Sequence, residues 1–406
     1  MAGLVCAIRL QKAGKNCAIV SAGQNAMHFS SGTFELLCRD EEGKALSEPL
    51  KAIDGLNEAH PYKKIGSRQI SEYAYGLKSF FSEAGVGLKG KEDRNGFMIS
   101  PLGSIKQAWL ALDDIHLLED KDEKIGDKAL IVNFKGYLDF NIAFIADSLS
   151  ANGTSCRILS VDLPEISRLR SNPSEMRSVN IAGVMEAKEV RKAFVDKVKS
   201  SIQDEDIIIL PSVFGLRDSL AVERLKASLP LPVVFVGTMP PSIPGIRSQM
   251  MLKTAFESLG GTMLQGDEAV KAEIQGGNVS AIWTSNLGSL PLEAERYVLA
   301  SGSFFSKGLW ATPNAVIEPL FGLDVDYIEG RENWYDKDFF KEQAYLGFGI
   351  KTDASFHPYK NGERIKNLYA IGAVLSGYSP IKSGCGAGVA IMTALFAADS
   401  IIANKE

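Results

Sequence analysis

Gly384, Gly386 and Gly388 alternate through a short turn and open the Ala-rich apolar run that ends at Ala398. Glycines at a helix start let a ligand lie against bare backbone. The unpaired N–H groups there, with the positive end of the helix dipole, stabilise negative charge on that ligand. Cys385 lies inside the same turn, the one cysteine placed to bear on redox chemistry. Proton transfer falls to the four histidines, of which His28 in His28-Phe29-Ser30-Ser31-Gly32 stands best and His357, just before Pro358, second. For an anionic substrate the candidates are Arg247, which ends the Pro-fixed loop that begins at Pro240, Arg177, and Lys382. An arginine fork matches phosphate or carboxylate geometry, and proline restricts the backbone that holds it.

These groups need elements to hold them. Before the C-terminal glycines, Leu368 to Ile371 reads as a short apolar strand, followed by a loop containing Gly372. At the other end of the chain, Gly3 leads into Leu4–Leu10, an amphipathic helix stopping at Gly14, and then the strand Cys17–Val20. That is the second half of a strand–GxGxxG–helix–strand unit, with Gly3 as its last fingerprint glycine. The expectation is that the first strand of such a unit precedes Met1. The second strand ends in Ser21-Ala22-Gly23, and no carboxylate follows before Glu35 to hold an adenosine ribose.

Between the two ends, Asp113–Asp127 reads as a charged, solvated linker. After it strands alternate with helices: 129–134, a helix to about 152, 155–161, a helix over 187–202, 206–210, a helix over 221–228, and 233–236. That alternation predicts a second parallel α/β unit. From Thr262 to Trp283 the pattern predicts a hairpin turning at Gly276-Gly277. The chain is therefore expected to be α/β. A Rossmann-like domain is built from residues 1–100 and 262–406, and an inserted α/β substrate or cap domain covers 101–261.

Composition limits the functional classes. With 45% hydrophobic and 23% charged residues the chain has the profile of a water-soluble globular protein, and its net charge of −5 gives no footing for nucleic acid. No stretch approaches the roughly 18 apolar residues of a spanning helix. The five cysteines are scattered with no C-x-x-C, so neither a zinc site nor an iron–sulfur cluster is expected.

The strand–turn–helix at the C-terminus resembles the closing element of two-dinucleotide-fold flavoproteins. His28–Gly32 is similar to the Ser/Gly segment that runs past the flavin in the fumarate reductase type, and Tyr297–Phe305 to the strand and turn returning to it. More specifically, His28–Gly32, Pro240–Arg247, Ser301–Leu309, Phe321–Val325 and Gly384–Gly388, in that order, resemble the B subunits of the anaerobic glycerol-3-phosphate dehydrogenases over essentially the whole chain. The resemblance implies an FMN-linked subunit, with FAD the alternative, cradled by Gly3, Ser30, Ser31, Gly32, Ser301, Gly302, Gly372, Gly384, Cys385, Gly386 and Gly388. It implies oxidation of a small phosphorylated polyol, sn-glycerol 3-phosphate, to dihydroxyacetone phosphate. The implied partners are a catalytic flavoprotein subunit and a membrane-attached iron–sulfur subunit that passes electrons to quinone. The expected location is the inner face of the cell membrane, peripherally, and no metal site is expected on this chain. The rival expectations are a stand-alone flavin dehydrogenase and a non-catalytic assembly subunit.

Overall fold

The structure, a computed structural model, describes residues 1–403 apart from Gln24, Pro173, Ser174 and Ser219. It is α/β, as the alternating pattern requires, and divides into two compact units. The first is built from residues 1–25, 35–80 and 252 onward, so both chain ends contribute to it; the second holds residues 26–34 and 81–251.

In the first unit, the Ala2–Lys12 helix buries Leu4, Val5, Ile8 and Leu10, and it packs along the C-terminal Gly386–Ile402 helix. Spacing of three and four residues gathers such side chains on one stripe. The Ala18–Ser21 strand pairs in parallel with Thr262–Gln265, and Tyr297–Leu299 pairs in parallel with Leu368–Ala370. The hairpin expected over 262–283 is displaced. Its strands are Ala269–Gln275 and Asn278–Thr284, turning at Gly276-Gly277, while Thr262–Gln265 joins the N-terminal strand instead. A short strand carries no local mark of which neighbour it will pair with, so this choice was invisible in the sequence.

The second unit is organised around a four-stranded parallel sheet, in the order Val233–Val236, Ile207–Pro211, Lys128–Phe134, Ser155–Val161. The two inner strands are buried on both faces, which explains why they read as continuous apolar runs. The chain moves outward to Ser155–Val161, then crosses back past its first strand to Ile207–Pro211. The sheet therefore has a switch point above the C-terminal ends of those two central strands, where α/β sheets place ligands.

The charged segment 113–127 is not wholly solvated. Ile115, Leu118 and Asp114 are buried, and Ile115 bridges to Phe235 at the sheet edge. Asp114 accepts from Arg247 Nη2 at 2.6 Å, so an opposite charge 133 residues away compensates a burial that local sequence argued against.

Candidate functional site

In the first unit the glycine-bearing turns converge on two helix starts. Gly372 has φ +74°, and a side chain on it would lie 2.9 Å from Ala2 Cβ and 3.7 Å from Ala390 Cα. Its N–H donates to Thr393 Oγ1 at 3.0 Å. Gly3 approaches Ala300 Cβ, 3.5 Å from where its own Cβ would be. The turn after Tyr297–Leu299 thus stands against the start of the N-terminal helix. In that turn Ser301 Oγ is buried and has no hydrogen-bond partner.

The three glycines of the C-terminal turn do different jobs. A Cβ on Gly388 would lie 2.2 Å from Tyr62 Oη and 2.9 Å from Glu35 O, and its N–H already donates to Glu35 O at 2.9 Å. Gly384, at φ +57°, packs against Cys38. Both are demanded by the protein's own packing. Gly386 is different: the one close neighbour of its added Cβ is Pro380 Cβ at 3.3 Å. The amides of Gly386 and Ala387 have no acceptor among the described residues, and the Gly386–Ile402 helix has no side-chain cap. Cys385 is fully buried, and burial pushes its thiol well above the usual range, so it is a neutral thiol. Partial exposure at Gly386, unpaired helix-start amides and the unpartnered Ser301 hydroxyl fit the edge of a flavin ring system. Valine at Gly386 is expected to leave a folded protein with most of its flavin lost, read as the ratio of visible flavin absorbance to protein absorbance. Full occupancy in that variant would remove Gly386 from the cradle.

His60, also in the first unit, is buried with Nδ1 accepting from Tyr62 N at 3.1 Å and Nε2 unpartnered. Burial lowers its pKa from 6.5 to about 4. Between those values the unfolded chain holds the proton and the folded chain does not. Stability is therefore complete above pH 6.5 and falls as the pH drops toward 4. The loss approaches roughly 3 kcal/mol. Urea midpoints across that window should fall less steeply for His60→Gln, and an identical slope would exclude His60 as the source.

His357 lies in the same unit, wholly buried, with Nδ1 on Leu368 O at 2.9 Å, its ring 4.3 Å from that of Tyr369, and its pKa lowered by burial. Lys382 is ion-paired with Glu342 at 2.9 Å at the surface.

The second unit gathers His28 and Arg177 on one turn. Ser242 N donates to His28 O at 2.7 Å, and Met239 N donates to Asp139 O at 2.7 Å. Asp139 Oδ1 holds Arg177 Nη1 at 2.9 Å, while its Oδ2 is buried without a partner. The Met239–Ser242 turn, with a cis Pro240–Pro241 bond, thus has the histidine segment at one end and the acid–arginine pair at the other. Beside the pair, Tyr137 Oη and Ser178 Oγ lie 2.6 Å apart, and Ser178 Oγ is 3.2 Å from Thr238 Oγ1. Tyr137, Asp139 and Thr238 all follow C-terminal ends of parallel strands, the signal that could have found them in the sequence.

The arginines differ sharply. The Arg177 side chain is 56% exposed, while that of Arg247 is 9% exposed. Arg247 is committed to Asp114 and to the carbonyls of Phe214 and Gly215 at 3.1 and 3.0 Å. In the histidine segment, Ser30 Oγ accepts from Gly32 N at 3.1 Å and Ser31 Oγ lies 3.1 Å from Thr33 Oγ1. A side chain on Gly32 would lie 2.6 Å from Ile115 Cγ1. Burial holds the His28 pKa below its ordinary value, with the Gln249 side chain acting the other way, so His28 is a neutral imidazole at neutral pH.

Known proteins bear on these geometries. The FAD binding domain family matches residues 1–389. The B subunit of the anaerobic glycerol-3-phosphate dehydrogenase of Pectobacterium carotovorum is 41% identical, covering 99% of this chain and 96% of that protein. Its counterpart in Yersinia enterocolitica is 40% identical over 100% of this chain and 97% of that protein. A 3-ketosteroid Δ1-dehydrogenase from Sterolibacterium denitrificans aligns over 100% of this chain and 98% of its own, at 11% identity and a TM-score of 0.42, too slight a likeness to argue from. With its helix-start cradle and a full-length match at this identity, the chain belongs to the FAD binding domain family and, within it, to the B subunits of the anaerobic glycerol-3-phosphate dehydrogenases, as a flavin-dependent oxidoreductase subunit.

Proposed function

We propose that this chain oxidises sn-glycerol 3-phosphate to dihydroxyacetone phosphate and passes the electrons through partner subunits to quinone. The observation that carries this reading is the full-length identity with curated B subunits of that dehydrogenase. In this reading Gly3, Ser301, Gly302, Gly372, Gly384, Cys385, Gly386 and Gly388 hold the cofactor. When bound, the flavin supplies the two-electron acceptor for a secondary alcohol. Arg177, fixed by Asp139, orients the phosphate through its exposed guanidinium nitrogens. His28, neutral at working pH, takes the hydroxyl proton. Arg247 acts through the loop it anchors, Lys382 stands at the surface for a charged partner or substrate, and His357 is the reserve candidate for proton transfer. The unit formed by residues 26–34 and 81–251 serves as the substrate domain.

The cofactor we favour is FMN. Ser21 Oγ donates to Gly23 O at 3.3 Å, and the strand ends without a carboxylate for an adenosine ribose. Flavin released by denaturation should co-elute with FMN; release of FAD would reverse this assignment.

No helix among the described residues is long and apolar enough to cross a membrane. Membrane attachment is therefore assigned to a partner, with this chain at the inner face. No group of three or more metal-ligating residues occurs among the described residues. The expected result is that the isolated chain reduces artificial dyes poorly with glycerol 3-phosphate and reduces quinone only after the partner subunits are added. Robust quinone reduction by the chain alone would favour a stand-alone dehydrogenase, and a colourless full-length protein an assembly role.

A further inference from the structure

Two adjacent aromatic rings stand almost entirely in solvent on the first unit: Phe339 is 84% exposed and Phe340 95%. Their ring centroids are 5.5 Å apart, edge to face. Tyr335 on the same loop is 55% exposed. The Gln343 side chain ties the loop to itself, accepting from Asp336 N at 2.9 Å and donating to Asp338 O at 3.0 Å and Lys341 O at 3.1 Å. At its base Trp334 is buried, with Nε1 on Ile328 O at 2.6 Å and its ring 6.1 Å from that of Phe348. The loop is built to hold two phenylalanines in water, an arrangement that favours burial against another surface.

The loop also adjoins both turns of the flavin cradle. The Tyr345 ring lies 6.2 Å from that of Phe304, two residues beyond Gly302. Glu342 pairs with Lys382 in the turn leading to Gly384, next to Ile381, which is 72% exposed. Charge then selects the occupant. Residues 335–342 carry three acidic and two basic side chains. An anionic bilayer would be repelled by that excess. A symmetric contact with a second copy would oppose like charges across the dyad. A protein with an apolar depression rimmed by lysine or arginine is the complementary surface.

We propose that the Tyr335–Glu342 loop, with Ile381, is the docking surface for the companion subunit that receives electrons from this chain. The inference rests on the subunit reading above. Docking here brings the acceptor next to the two cofactor turns, the short approach that electron transfer requires.

The test uses the full chain, affinity-tagged and co-expressed with the other subunits of the dehydrogenase. The double variant Phe339→Asp, Phe340→Asp should keep the wild-type flavin content and unfolding midpoint, yet bind the companion subunits at least about tenfold more weakly. Asp336→Lys with Asp338→Lys should slow association and remove its dependence on salt. Unchanged binding by the aromatic variant, with wild type bound, would overturn the surface while leaving the subunit reading standing. Wild type that binds no companion overturns both. Wild-type binding to phosphatidylglycerol vesicles, or dimerisation abolished by the aromatic variant, would replace the proposed occupant.

Discussion

Arg247→Ala is expected to destabilise the protein by about 3–5 kcal/mol. The Arg247 and Asp114 side chains are both nearly inaccessible, 9% and 7% exposed, and the bond between them is 2.6 Å. Removing the cation leaves a carboxylate buried without a counter-charge and frees the carbonyls of Phe214 and Gly215. Ser212 Oγ, at 3.5 Å from Asp114 Oδ2, is too distant to replace it. Urea unfolding of the variant measures the loss. The paired replacement Arg247→Met with Asp114→Leu removes both charges and should recover most of it, because an apolar pair of similar volume needs no compensation. If Arg247→Ala keeps wild-type stability and raises the Michaelis constant for glycerol 3-phosphate, the arginine serves substrate directly and its ion pair with Asp114 is expendable.

His28→Gln is expected to lower kcat by about 10²–10⁴, the usual contribution of a positioned base. Glutamine preserves bulk and hydrogen bonding but accepts no proton, so flavin content should not change. Wild-type activity should fall on acidification through a pKa below 6.5, since protonation removes the acceptor and burial shifts that event downward. Arg177→Ala should separate from this by raising the Michaelis constant while sparing kcat, as loss of uniform substrate binding does. His28→Gln with undiminished kcat would transfer the base to another group.

The alternating units over 128–236 were legible because buried parallel strands are continuous apolar runs and their helices repeat every three to four residues. The helix beginning at Ala2, the strand at Ala18 and the Gly386–Ile402 helix were legible from glycine placement and apolar periodicity. Asp114 was not. Asp113–Asp127 looks solvated by composition, and only a partner distant in sequence allows one of its charges to be buried. Asp139 was missed for a related reason: a single acid after a strand is ordinary until its orphaned oxygen and the neighbouring Arg177 are seen together.

Taken alone, the sequence determined the class of the fold, the pairing of the two chain ends and the family, because periodicity, glycine spacing and long motif strings are local properties. The roles of individual side chains were decided by tertiary structure. Gly386 and Gly388 are alike in sequence, yet one is half-buried with only Pro380 beside it and the other is pressed against Tyr62 and the Glu35–Leu36 backbone. Arg177 and Arg247 carry the same guanidinium, yet one is held at the surface by a single carboxylate oxygen and the other is enclosed by an acid and two carbonyls. Burial and the identity of a distant partner set those differences, and neither is encoded within reach of the residue itself.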